Sequence, residues 1–220
     1  MIRNVLVAQL LLLVLAIPGV CGELALTPAE IAGRIQEKYE KTRAFRADFQ
    51  QTSTVGGMQH RQRRGSGTMA IQKPSFLRWD YSEPEQQVLV SDGKEFFLYF
   101  AAERQMIVTP AKEYLQEDVT YSFFSGTGNL LRDFEVTELP GYLAGEEEAA
   151  IALRPKKPHP QVDVMHVWVD ENTYLITRLQ VFDHLGSMTE LVFANPVVDQ
   201  PYPEEFFRFT PPEGTEIIRQ

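Results

Sequence analysis

The feature that most limits the possible folds is a long succession of short segments in which apolar and polar residues alternate. Residues 45–50 are typical, with Phe, Ala and Phe separated by Arg, Asp and Gln. Successive side chains of a strand point to opposite faces, so this period predicts strands with one buried face. About eleven such segments, separated by short breaks, predict one antiparallel sheet that curls.

Two regions indicate helix instead. Thr27 is a good N-cap and Pro28 fits the first helical position, and apolar residues then recur at helical spacing up to about Lys41. Residues 112–132 are rich in Leu, Phe and Tyr but contain Gly126 and Gly128, which favours short helices joined by a loop. The predicted fold class is therefore mainly β with a helical lid (α+β), an unclosed antiparallel β-barrel of about eleven strands covered by short helices.

The N-terminus resembles an export signal. Arg3 precedes an apolar run over residues 5–17, and small residues follow it. This pattern predicts a signal peptide over residues 1–22, cleaved after Gly22, and a single domain over residues 23–220. The alternative is an uncleaved membrane anchor.

The single cysteine of the chain, Cys21, lies inside this leader. Val20 stands immediately before it, where a lipidation motif needs a small residue, so the sequence favours an unlipidated product. The mature chain then has no cysteine and cannot form a disulfide.

Charge and motif content exclude several function classes. The formal net charge is −9, which argues against nucleic-acid binding and fits a monomer kept soluble by self-repulsion. There is no nucleophile elbow, no metal-binding histidine spacing and no phosphate-binding glycine loop. We expect no enzyme activity, no catalytic residue, no metal and no cofactor.

A basic cluster stands out in this acidic chain. Arg61, Arg63 and Arg64 follow one another closely within a predicted hairpin. Basic side chains protect an edge strand from mispairing, but they can also contact an acidic partner or anionic headgroups. Both interpretations stay open.

Several segments predict a strongly apolar face on the sheet and an apolar underside on the lid. The sheet candidates are Met69, Ile71, Leu77, Trp79, Val88 and Val90, and the lid candidates are Leu115, Phe123 and Phe124. Such a surface forms either a fully packed core or a cavity that holds an apolar guest.

Four motifs in order resemble the LolA family of lipoprotein carriers. They are residues 45–51 (Phe-Arg-Ala-Asp-Phe-Gln-Gln), residues 65–94 with Lys-Pro-Ser-Phe-Leu-Arg-Trp-Asp-Tyr inside them, residues 183–193, and residues 207–214 (Phe-Arg-Phe-Thr-Pro-Pro-Glu-Gly). The resemblance implies a periplasmic carrier for the acyl chains of lipoproteins. It implies three kinds of partner, namely acylated lipoproteins, an inner-membrane ABC-type releasing complex and an outer-membrane lipoprotein receptor.

The resemblance also assigns a role to Lys73. The family places a basic residue, usually Arg, before this proline to hold the lid by hydrogen bonds, and Lys73 occupies that position. Lysine has a compact three-donor head rather than a planar fork, so a weaker lid latch is implied. The alternatives to a carrier are a lipoprotein-binding receptor or envelope-stress sensor of the same fold, and an exported lipid-processing hydrolase.

Overall fold

A computed structural model describes residues 26–56, 58–117, 119–125, 128–141 and 148–220, without the side chains of residues 58–61, 116, 117, 119 and 120. The predicted leader and Cys21 lie outside the described residues.

The N-terminal helix α1, Pro28–Lys41, forms as its sequence predicts. The Thr27 hydroxyl accepts a hydrogen bond from the Glu30 backbone N–H at 3.3 Å, and the Glu30 carboxylate accepts one from the Thr27 N–H at 2.8 Å. This reciprocal capping box satisfies two donors that would otherwise be free at the helix start. The buried stripe of α1 contains Ile31, Ala32, Ile35 and Tyr39.

The remaining elements alternate between a meander of strands, three short helices and a second meander. The first meander comprises β1 Ala44–Val55, β2 Met58–Gln72, β3 Phe76–Glu83, β4 Gln87–Asp92, β5 Glu95–Phe100 and β6 Gln105–Pro110. The helices are α2 Ala111–Glu117, α3 Val119–Ser125 and α4 Leu130–Asp133, which we call the lid. The second meander comprises β7 Phe134–Glu138, β8 Glu148–Pro155, β9 Val164–Asp170, β10 Ile176–Phe182 and β11 Met188–Val198, and β12 Glu216–Arg219 follows it.

All twelve strands belong to one sheet in the order β12-β6-β5-β4-β3-β2-β1-β11-β10-β9-β8-β7. Strands β7 and β12 are its two ends, and no ladder joins them in the described part of the chain. The mainly β, unclosed architecture is therefore confirmed.

One strand was missed by the sequence analysis. β12 pairs with β6 in parallel, with Ile217 opposite Met106, whereas an antiparallel sheet of about eleven strands was predicted. Four residues give too little alternation to reveal a strand. Its partner also lies more than a hundred residues earlier, so no turn between them signals the pairing.

The sheet has two apolar faces, each with its own cover. The inner face packs against α1 and the lid and includes Phe45, Met69, Leu77 and Trp79. On the outer face, residues of β2 and β4–β6 form a second apolar cluster around Phe207, which lies in a 3₁₀ turn, Glu204–Phe207.

The prediction that Val88 and Val90 share a face with the other sheet candidates is wrong. In the strand register, Val90 pairs with Arg78 and Val88 with Asp80, whereas Leu89 pairs with Trp79. Both valines are buried in the outer cluster. Because the C-terminal segment covers the outer face, both sides of β4 are apolar, and alternation alone does not identify the inner one.

Gly67 and Gly33 provide a matched test of how closely the strands approach. A Cβ atom on Gly67 would overlap the carbonyl oxygen of Asp80 on the neighbouring strand, whereas one on Gly33 in α1 meets nothing within 4 Å. We expect Gly67→Ala to lower the free energy of unfolding by about 3 kcal/mol through overpacking. Gly33→Ala should raise it by about 0.5–1 kcal/mol through helix propensity. Urea denaturation followed by circular dichroism measures both, and equal stabilities for the two variants would contradict the described contact.

Candidate functional site

The predicted apolar residues, apart from the two valines, meet in the main core. From the sheet, Met69, Ile71, Leu77 and Trp79 face inward, and from the lid they meet Leu115, Phe123 and Phe124. The lid packs on the sheet through Phe124, whose ring stacks on Phe45 with centroids 4.9 Å apart, and through Tyr114, whose ring stacks on Phe96 with centroids 3.6 Å apart.

The structure shows this region in a closed, packed state. The seven residues just named are between 1% and 7% exposed. A cavity of about 20 Å³ lies between α1 and the lid, lined by Ile35, Gln36, Tyr39, Ser122, Phe123, Gly128, Leu130 and Phe134. That volume is room for about one water molecule. A guest as large as an acyl chain could enter here only if the lid moved away from the sheet.

Part of the inner face lies beyond the tightly packed core. Leu89, Leu98, Tyr81 and Val181 contact the main core but are only partly buried. Leu89 takes the inner position of β4 that the sequence analysis gave to its neighbours. The apolar inner surface is thus larger than the area that the helices cover completely.

Lys73 holds α1 rather than the lid. Its Nζ donates to the backbone carbonyls of Tyr39 at 2.7 Å and of Glu40 at 2.9 Å, in the last turn of α1. A cation is favourable there because the final carbonyls of a helix lack partners and carry partial negative charge. Partial burial lowers the pKa of Lys73, which the charges of Glu40 and Asp199 oppose.

Two other contacts hold the lid, and the sequence analysis missed both. The Tyr121 hydroxyl donates to the carbonyl of Pro74 at 2.8 Å, directly beside Lys73. Burial raises the pKa of Tyr121, so its phenol stays protonated and able to donate. On the other side of the lid, the Gln36 amide donates to the carbonyl of Gly128 at 2.9 Å and accepts from the Leu130 N–H at 2.9 Å. No motif marks these residues, because each bond joins segments distant in sequence.

The basic cluster is divided between the two faces of the sheet. Arg63 pairs with Ser53 and Arg64 with Thr52, so their side chains leave β2 on opposite sides. Both are exposed. The side chain of Arg61 lies outside the described residues. A single continuous basic patch therefore does not follow from the sequence cluster alone.

Metal ligands and membrane helices were searched over the same described ranges. Among those residues, no three His, Cys, Asp or Glu side chains are grouped to hold a metal ion. Within the same ranges, none of the helices has the length and apolar character needed to cross a membrane. His166 lies on the outer face between Trp168 and Phe182, and burial lowers its pKa.

Comparison with known proteins assigns the chain to a family. Residues 40–210 match the model of the outer membrane lipoprotein carrier protein LolA. This chain belongs to the LolA family. The match extends from the end of α1 to the C-terminal segment, and so includes the lid and every strand except β12.

Named relatives of the LolA family agree with this assignment. The outer-membrane lipoprotein carrier protein of Nitrosomonas europaea is 28% identical over 179 residues, covering 81% of this chain and 84% of the relative. That of Legionella pneumophila is 24% identical over 194 residues, covering 88% and 91%. LolA is a family of carriers rather than enzymes.

Solved structures show the same fold at lower identity. An uncharacterized conserved protein from Thermus thermophilus superimposes with a TM-score of 0.53 at 13% identity, covering 87% of this chain and 98% of that one. The structure of MucB gives a TM-score of 0.50 at 11% identity, covering 87% and 65%. These similarities concern the fold alone.

The contacts of Lys73 make a testable prediction. Lys73→Met removes both hydrogen bonds to the end of α1, and we expect the free energy of unfolding to fall by about 1–2 kcal/mol. Hydrogen exchange measured by mass spectrometry should become faster in the last turn of α1. Lys94→Met, at an exposed lysine of the β4–β5 turn, is the matched control. Unchanged exchange in α1 would show that Lys73 does not hold the helix.

Proposed function

We propose that this protein binds the acyl chains of lipoproteins on the inner face of its sheet and carries them across the periplasm. The observation that carries the proposal is the apolar inner face of this LolA-family protein. That face is larger than the area that the helices cover fully. The chains would leave the inner membrane at an ABC-type releasing complex and enter the outer membrane through a lipoprotein receptor. The predicted leader over residues 1–22 supports export to that compartment.

The physical problem for such cargo is water. Each methylene exposed to water costs about 0.8 kcal/mol, so an acylated protein cannot leave a membrane unaided at a useful rate. An apolar inner surface under a movable cover removes the chains from water without inserting them in a bilayer.

In the closed state, lid side chains occupy the position that we propose for the acyl chain. In the closed state Phe123, Phe124 and Leu115 fill the space against the sheet. An acyl chain that takes their place buries the same inner face, so the loss of lid packing is offset by the gain of guest packing. Transfer along the route then needs only a difference in affinity between carrier and receptor, and no chemical step.

The exposed arginines are candidates for contact with the partners. Arg63 and Arg64 lie with Arg61, the third member of the cluster, near one end of the sheet. They add positive charge there in a protein whose formal net charge is −9. Opposite charges steer association and select orientation more than they add affinity. We propose that this end of the sheet meets an acidic surface of a membrane partner.

Binding at the inner face is tested by two neighbouring residues of β5. Leu98 faces the main core and Phe97 faces the outer cluster, and both are partly buried. We expect wild-type protein to bind a fluorescent C16 fatty acid saturably. Leu98→Glu should weaken this binding at least about tenfold, because a carboxylate must be desolvated beside the chain. Phe97→Glu should leave it within about twofold, since its substitution lies on the other face.

The same protein, purified from the periplasm, should release acylated peptides into organic solvent, detected by mass spectrometry. Folding of each variant is checked by near-UV circular dichroism before titration. A folded wild-type protein that binds no fatty acid and carries no acylated species would overturn the proposal. Equal loss in both variants would mean that the probe does not report on the inner face.

A further inference from the structure

The inner face changes character along its strands. At the lid end, β1 presents Phe45 and then Ala47 and Phe49, all buried in the main core. Further along the same strand and on the same face come Gln51 and Ser53, which are only partly buried. The face is therefore apolar at one end and polar at the other.

At the polar end, a line of hydrogen bonds joins side chains from three strands, β3, β1 and β11. The Tyr81 hydroxyl of β3 donates to Oε1 of Gln51 at 2.7 Å, and Nε2 of Gln51 donates to the Ser53 hydroxyl at 3.1 Å. The Ser53 and Thr189 hydroxyls are 3.2 Å apart, which carries the line to β11. Tyr81 also packs edge-on against Phe49, with ring centroids 4.8 Å apart, so polar and apolar surfaces are continuous.

We propose that this polar line binds the junction of the cargo, where the glyceryl esters, the thioether and the first peptide groups meet, with the acyl chains running from it toward the lid. This inference rests on the proposed function and adds the orientation of the guest. Ester and amide carbonyls accept hydrogen bonds, and the Gln51 amide and the two hydroxyls are donors.

The opposite orientation is physically unfavourable. It would place the carbonyls against Phe45 and Phe124 in the main core, where burial of a carbonyl without a hydrogen-bond partner is strongly unfavourable. Lengths also agree with the proposed direction. One acyl chain spans about 15 Å, half of a bilayer core of about 30 Å. At about 3.3 Å per strand residue, an acyl chain that starts at Ser53 reaches the level of Phe49 and of its strand partner Phe193, whose ring contacts Phe124 of the lid.

Two substitutions that replace a polar side chain with an apolar one test the polar line. Thr189→Val removes a hydroxyl from the line, and Gln51→Leu removes the central amide. Thr52→Val removes a hydroxyl from the opposite face of the same strand, where Thr52 pairs with Glu190, and is the matched control. The probes are a synthetic S-diacylglyceryl-cysteine peptide and a pyrene-labelled alkane that has no ester, thioether or peptide group.

We expect each inner-face variant to bind the diacylglyceryl peptide about five- to tenfold more weakly, the loss of about one hydrogen bond, with alkane binding within about twofold of wild type. Thr52→Val should change neither affinity. Unchanged peptide binding in both inner-face variants would overturn the inference, and so would an equal loss for both probes. If wild-type protein binds neither probe, the proposed function fails instead.

Photo-crosslinking gives a readout of orientation. A diazirine at the methyl end of one acyl chain should label lid and lid-facing residues such as Phe124 and Phe193. A photoreactive group on the first peptide residue should label the Gln51 end. The reverse pattern, mapped by mass spectrometry on the wild-type protein, would contradict the proposed direction.

Discussion

The contact of Phe124 with the sheet is the interaction on which the closed structure depends. The centroid of its ring lies 4.9 Å from that of Phe45 in β1, 5.4 Å from that of Tyr39 in α1 and 5.0 Å from that of Phe193 in β11. One lid residue thus connects the first helix, the first strand and a strand of the second meander. Aromatic pairs of this kind add to the stability that burial alone provides.

The outer face is covered by the C-terminal segment, independently of the lid. Arg78 forms an ion pair with Asp80 at 2.7 Å and donates to the carbonyl of Phe206 at 2.7 Å, so it fastens the C-terminal segment to the sheet. Phe207 then closes the outer cluster. Strands β3–β6 consequently have buried or partly buried residues on both faces.

The sequence predicted the elements of this fold better than their arrangement. The helix α1 begins and ends at the predicted residues because its signals are local, an N-cap at Thr27 and a proline at the first helical position. The assignment of Val88 and Val90 failed because a distant segment covers the second face of β4. β12 was missed for a related reason, since its strand partner, β6, is remote in the chain.

The candidate site shows the same limit. Its apolar members on β2, β3 and the lid were found from composition and alternation, whereas Leu89 was missed because both faces of β4 are apolar. Gln36, Tyr121 and the line from Tyr81 to Thr189 were not found, since each depends on a hydrogen bond between segments far apart in sequence. Lys73 was expected to hold the lid through family resemblance, but its carbonyl partners belong to α1.

These contacts together suggest how opening could be confined to one part of the molecule. Lys73 fastens α1 to the loop before β3, while Tyr121 fastens α3 to the next residue of that loop through a neutral hydrogen bond. A neutral bond contributes about 1 kcal/mol, and bonds from a charged donor contribute more. The charged bonds from Lys73 to α1 are therefore individually stronger than the neutral bond from Tyr121 to the loop. Under the proposed function, an apolar guest that replaced Phe124 would break the contacts of Tyr121 and Gln36 with their partners and could leave the Lys73 bonds in place. Helix α1 can then remain packed on β7 and β8 while the lid moves.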